Sequence, residues 1–186
     1  MTLQSDQFKF TVEDYHKMAE VGIIKDTDRV ELINGKVIPM SPIKSLHAGT
    51  VDDLVAYFNS KLYGQFSVRG QNPITLDNHS EPEPDIVIAQ YRKDAYRSNH
   101  PRPNEICVLI EVSDSTLKKD REEKVPLYAS ASIPEYWIIN LVDKQIEIHR
   151  QPKNGAYHLT QIISEKGEFS CEGIGLTLGY AQLFPD

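Results

Sequence analysis

The stretch Glu83-Pro84-Asp85-Ile86-Val87-Ile88, with Ile106-Cys107-Val108-Leu109-Ile110-Glu111-Val112 further along the chain, decides how this sequence is read. Both are short apolar runs bounded by turn-forming residues, the pattern of strands buried in a sheet. Each presents one carboxylate: Asp85 enters the first run, and Glu111 follows five apolar residues in the second. Burying a lone charge is costly even after relaxation, so Glu111 must meet a cation. The next segment offers one, because Asp120, Lys124 and Tyr128 recur at intervals of four and share a helix face. Two neighbouring strands that each present a carboxylate, beside a helix offering an ammonium, are what a metal-assisted phosphodiester hydrolase needs.

Outward from this centre the chain alternates helical and strand patterns. Thr11 with Asp14 forms a capping signature ahead of a short helix that Gly22 ends. Val30 to Ile33 and Lys36 to Pro39 flank Asn34-Gly35, the strongest short-range hairpin signal. Val51, Leu54, Val55, Phe58 and Leu62 recur at helical spacing, with Gly64 as the stop. Phe66 to Arg69 and Pro73 to Leu76 read as short strands. Pro126 is tolerated only if the regular helix begins near Glu122 or is kinked there. Strands follow at 136–139, 146–149 and 157–163, and the tail from Ile174 to Phe184 offers one more short strand. Mixed elements of this kind predict an α/β fold.

The 186 residues suit a single domain, 1–186. A net charge of -7 argues against a broad basic face for tight nucleic-acid binding, but leaves room for a local basic loop. Tyr91 to Asn104 is that loop, with Arg92, Lys93, Arg97 and Arg102 against Asp94; a solvated surface loop competes with phosphate contact there. Met1 to Phe10 lacks the basic and apolar regions of an export signal, and no apolar run is long enough to cross a membrane. With only Cys107 and Cys171, buried free thiols in a reducing cytoplasm are expected rather than a disulfide or a zinc site.

Among the candidate residues, Asp85 gains its weight from pairing with Glu111, which would set two oxygen ligands on one side of a Mg²⁺ ion. Lys124 could position or deprotonate water or offset charge on the phosphate, against the alternative of a surface lysine. Glu31, just before the hairpin turn, either reaches the metal or is an ordinary strand residue. His47, His79 and His100 lack the close-spaced partners of a zinc site and read as structural or exposed. No phosphate-cradling glycine loop and no nucleophile elbow is present.

The ordered blocks Val30-Glu31-Leu32-Ile33-Asn34-Gly35, Met40-Ser41-Pro42, His47, Glu83-Pro84-Asp85, Ile110-Glu111-Val112-Ser113, Asp114-Ser115-Thr116, Asp120, Lys124, Tyr128 and Pro134-Glu135-Tyr136-Trp137 resemble the Uma-two family of endonucleases. That family lies within the restriction-endonuclease-like superfamily, whose signature is Pro-Asp followed by Asp or Glu-x-Lys. The resemblance implies a mixed β-sheet flanked by helices, with additional antiparallel strands in the C-terminal part. It implies Mg²⁺ or Mn²⁺ held by Asp85 and Glu111, and catalysis by Asp85, Glu111, Lys124 and Glu31. Ser113 stands where the superfamily has its lysine, and the resemblance displaces that lysine onto the following helix, at Lys124. The expected activity is metal-dependent hydrolysis of DNA by a cytoplasmic homodimer that touches no membrane. A nuclease-fold module that binds nucleic acid or protein without catalysis is the alternative.

Overall fold

The computed structural model describes residues 8–184, so Met1 to Gln7, on which part of the N-terminal expectation rests, lie outside the described residues. The first helix, α1 (Val12–Glu20), starts as its capping residues require: the Thr11 side chain accepts from the Asp14 amide at 3.1 Å, and the Asp14 carboxylate accepts from the Thr11 amide at 2.9 Å. Strands β1 (Val30–Ile33) and β2 (Lys36–Pro39) form the expected hairpin, with Asn34 and Gly35 both at positive φ. Helix α2 (Ser45–Leu62) stops short of Gly64, which also takes a positive φ.

The main sheet then builds in chain order from β3 (Phe66–Gly70), β4 (Ile86–Gln90) and β5 (Ile106–Ser113). A helical crossover follows, made of α3 (Leu117–Lys119), a π-helical turn (Asp120–Lys124) and α4 (Val125–Ser130). Strands β6 (Glu135–Asn140), β7 (Gln145–Lys153) and β8 (Ala156–Ile163) complete six neighbouring strands in sequence order. All neighbours are antiparallel except β5 and β6, and this parallel pair is the one that needs the crossover. A second small hairpin, β9 (Glu168–Cys171) with β10 (Leu176–Gly179), closes the described chain.

The apolar run of β5 is covered on both sides. Val108, Ile110 and Val112 join Val51, Leu54 and Phe58 of α2 in one layer. Leu109 joins Tyr128, Tyr136 and Ile138 in the other. Between β4 and β5 the register shifts, with Val108 opposite Ile88 but Ile106 opposite Ala89, so Cys107 is the extra residue of a bulge. Beyond the bulge the alternation is regular, which puts Glu111 on the Leu109 face. The C-terminal hairpin is fastened by a buried ion pair: Arg150 donates to the Glu135 carboxylate at 3.1 Å and to the Ser170 carbonyl, and the Gly173 amide reaches Glu135 at 3.0 Å. Only glycine fits at 173, since a Cβ there would stand 2.6 Å from the Cys107 carbonyl oxygen.

Three expectations are corrected. Pro73 to Leu76 is extended but not a strand of the sheet, because its amides turn to loop carbonyls, Ile74 to Pro82, Thr75 to Pro101 and Leu76 to Ser80. The helix carrying Lys124 starts at Leu117 rather than near Glu122. A proline ring clashes with the carbonyl four residues back in a regular helix, and here Pro126 sits in the first turn of α4, behind the wider π-helical turn. The tail contributes two strands, β9 being too short and too polar to read from the sequence.

Phe58 is fully buried and meets Trp137 edge to face, with ring centroids 6.5 Å apart. Phe58→Ala is expected to cost about 3–5 kcal/mol in urea unfolding; a loss below about 1 kcal/mol would contradict this packing.

Candidate active site

Register brings the two carboxylates together. Ile86 pairs with Ile110 across antiparallel β4 and β5, and one further step along that register sets Asp85 opposite Glu111. Directly opposed residues have Cβ atoms about 5 Å apart. The Asp85 Oδ2 accepts from the Val112 amide at 2.9 Å, which fixes the carboxylate at the mouth of β5.

The crossover then supplies the cation. Lys124 Nζ lies 2.7 Å from Glu111 Oε1 and 4.0 Å from Glu31 Oε2. The Tyr128 hydroxyl donates to the same Glu111 oxygen at 3.1 Å, so Glu111 Oε2 lies outside both contacts. Lys119 Nζ holds Glu31 Oε1 at 2.7 Å, and the Glu83 amide donates to Glu31 Oε2 at 3.3 Å. Asp120 is anchored by the Ser113 and Thr116 hydroxyls at 2.6 and 2.7 Å, so Ser113 positions the crossover from the place where the superfamily has its lysine. One turn before the site, Arg121 grips Glu147 of β7 through two nitrogens.

Asp85, Glu111, Lys124 and Glu31 thus line one cavity of about 60 Å³. His47 lines it too, against the sequence expectation of a structural or exposed role: its Nε2 is 3.0 Å from Asp85 Oδ2, and its Nδ1 is buried without a partner. A single histidine at the start of a helix carries no spacing signal, and only its place in the family blocks pointed here. His79 is structural, with Nδ1 3.0 Å from the Phe10 carbonyl oxygen. In the basic loop, Arg92 is tied to Asp94 and Glu105 and stacks on Tyr96, while Lys93 and Arg97 are exposed. A groove of about 850 Å³ between α1 and the Thr75 and Arg102 loops is far larger but brings together none of these groups.

Burial governs the electrostatics. Loss of water pushes the Glu111 carboxyl well above the usual range, and Asp85 and Asp120 add to that; only Lys124 opposes it. Burial also works against the Lys124 ammonium, yet Glu111, Glu31 and Asp120 outweigh it and Lys124 keeps its proton. Burial raises Glu31, but Lys124 and Lys119 prevail and hold it below its ordinary value. Asp85 behaves likewise: burial raises it, and His47 with the Val112 amide brings it below.

Around the cavity Glu31, Glu83, Asp85, Glu111, Asp114 and Asp120 face three permanent cations, Arg29, Lys119 and Lys124. This surplus of carboxylate oxygens fits a hard divalent ion in chemistry and charge. Among the described residues no three His, Cys, Asp or Glu groups are gathered as a ready-made metal cluster. Two carboxylates suffice for Mg²⁺, which keeps several waters and takes its other ligands from substrate phosphate.

The sheet, the crossover and the paired carboxylates define a nuclease-like chain. A crystal structure of a putative nuclease belonging to DUF820 from Anabaena variabilis has the same fold, with a TM-score of 0.72 at 18% identity over 94% of this chain and 97% of that one. The model of the Uma2 family, described as "Putative restriction endonuclease", matches residues 12–180, and the chain belongs to that family. No curated protein matches it. Among the described residues no helix is long and apolar enough to cross a membrane.

The Asp85 contact raises the His47 pKa, with burial opposing it. The stability this gives is present below the unfolded histidine pKa and fades as pH rises through the folded value. On the acid side it fades again as pH falls through the lowered Asp85 value. In Asp85→Asn, NMR titration is expected to show His47 dropping toward or below the ordinary value of about 6.5. An unchanged His47 titration would contradict the pairing.

Proposed function

We propose that this chain is a metal-dependent DNA endonuclease. The observation that carries the reading is the meeting of Asp85 and Glu111 across β4 and β5 with Lys124 against them. Mg²⁺ or Mn²⁺ held by Asp85 and Glu111 would supply an activated water and a Lewis acid for a phosphate oxygen.

The chain's own groups have separable tasks. Asp85 is oriented before substrate arrives, by the Val112 amide on one side and His47 on the other. Lys124 stays protonated among three carboxylates, so its task is to set a fixed positive charge beside the phosphate, not to take a proton from water. Glu31 keeps Lys119 and Lys124 at the mouth of the cavity, where either can turn from its carboxylate to a phosphate oxygen. Tyr128 holds Glu111 in place from the apolar side.

A second reading has an observation of its own. Glu31 and Glu111 are already neutralised by lysines, as they would be in a nuclease-fold module that binds without cutting.

Supercoiled plasmid incubated with Mg²⁺ or Mn²⁺ separates the two. Wild type is expected to nick and linearise it, with Asp85→Asn and Glu111→Gln slower by about 100-fold or more. Lys124→Met should lose a similar factor while circular dichroism shows the fold retained. Full activity in Asp85→Asn would overturn the site, and no cleavage by wild type with either ion would favour the binding module.

A further inference from the structure

We propose that the outer edge of β8 is a docking surface for a second copy of this chain, strand against antiparallel strand, so that the two six-stranded sheets become one. β8 is the last strand of the sheet, and its residues, Ala156-Tyr157-His158-Leu159-Thr160-Gln161-Ile162-Ile163, include no Lys, Arg, Asp, Glu, Pro or Gly. Among the described residues, no backbone hydrogen bond reaches this strand from anything but β7. Leu159 and Ile162 are 40% and 59% exposed.

Open strand edges are templates for pairing, and proteins that stay single blunt them with charge, proline, shortness or a cover. The opposite edge of this sheet is blunted. β3 has five residues, carries Arg69, ends in Gly70 and is half-buried throughout, packed against α2. The eight residues of β8 have none of these devices.

The geometry points to a second copy as the occupant. In a chain of net charge -7, β8 is a neutral stretch along which two copies can approach. Antiparallel self-pairing brings the end of one strand that carries exposed Lys153 to the end of the other that carries exposed Glu165, and a two-fold axis makes that contact twice. Such a contact is closed, since each β8 has a single free edge and both are consumed. Main-chain hydrogen bonds supply the affinity and the alternate side chains set the register.

An axis perpendicular to the sheet keeps the Glu111 residues of both copies on one face. From β5 of one copy to β5 of the other there are seven strand spacings, about 34 Å, close to one turn of B-DNA at about 34–36 Å. This last consequence rests on the endonuclease reading; the pairing itself does not.

Sedimentation velocity at micromolar concentration tests the pairing with no reference to activity. Wild type is expected to sediment at twice the chain mass, and Leu159→Lys and Ile162→Lys, both at exposed positions, at the single-chain mass with unchanged circular dichroism. Ser67→Lys on β3 should leave the doubled mass intact. Hydrogen exchange at the outward β8 amides should be slow in the doubled species and quicken on dilution, a readout that needs no variant. A wild type of single-chain mass, or a doubled mass that survives both lysine substitutions, would overturn the proposal, as would capture of some other protein at this edge by a monomeric chain.

Discussion

The arrangement depends on one costly act, the burial of Glu111 in the central strand. A carboxylate placed among Leu109, Ile110 and Val112 loses its water, and the loss must be made good by hydrogen-bonded cations and donors. Lys124 and Tyr128 make it good from one helical crossover, and that crossover exists because β5 and β6 run parallel. Lys124, equally buried, then needs acid on its other side, and Glu31 provides it from the tip of a hairpin that is otherwise remote in sequence. Each partner is buried because the previous one is. Removing a member of such a chain leaves the next as an uncompensated buried charge, so a silent substitution here is not expected.

The segment that carries Lys124 is held at three points. Asp120 bonds to Ser113 and Thr116, Arg121 grips Glu147, and Lys124 meets Glu111. The π-helical turn spans these anchors and ends where Pro126 begins α4. Displacing a site residue onto another element requires that element to be fixed to the sheet independently, and the Ser113 to Asp120 bond does this from the vacated position.

Much of this was legible in the sequence. Asp85 and Glu111 announced themselves because a charge bordering an apolar run needs a reason, and the Asn34-Gly35 turn fixed its hairpin through its φ requirements alone. His47 was not legible from its surroundings, since its meaning depends on a tertiary approach of α2 to the start of β4 that no local spacing encodes. Pro73 to Leu76 alternates like a strand, but its neighbours in space are loops, and pairing is a property of neighbours. The place of the lysine came from family resemblance; the geometry adds its charge state, because three surrounding carboxylates settle what spacing could not.

The most direct test of the carboxylate site is thermal unfolding with and without Mg²⁺ or Mn²⁺. An ion at about 100 times its dissociation constant adds about 2.7 kcal/mol to the native state, which for a chain of this length raises Tm by about 5–10 °C. The account predicts that rise for wild type, its loss in Asp85→Asn and in Glu111→Gln, and its retention in the exposed Leu159→Lys. A wild-type Tm unmoved by either ion, or a shift that survives loss of both carboxylates, would contradict it.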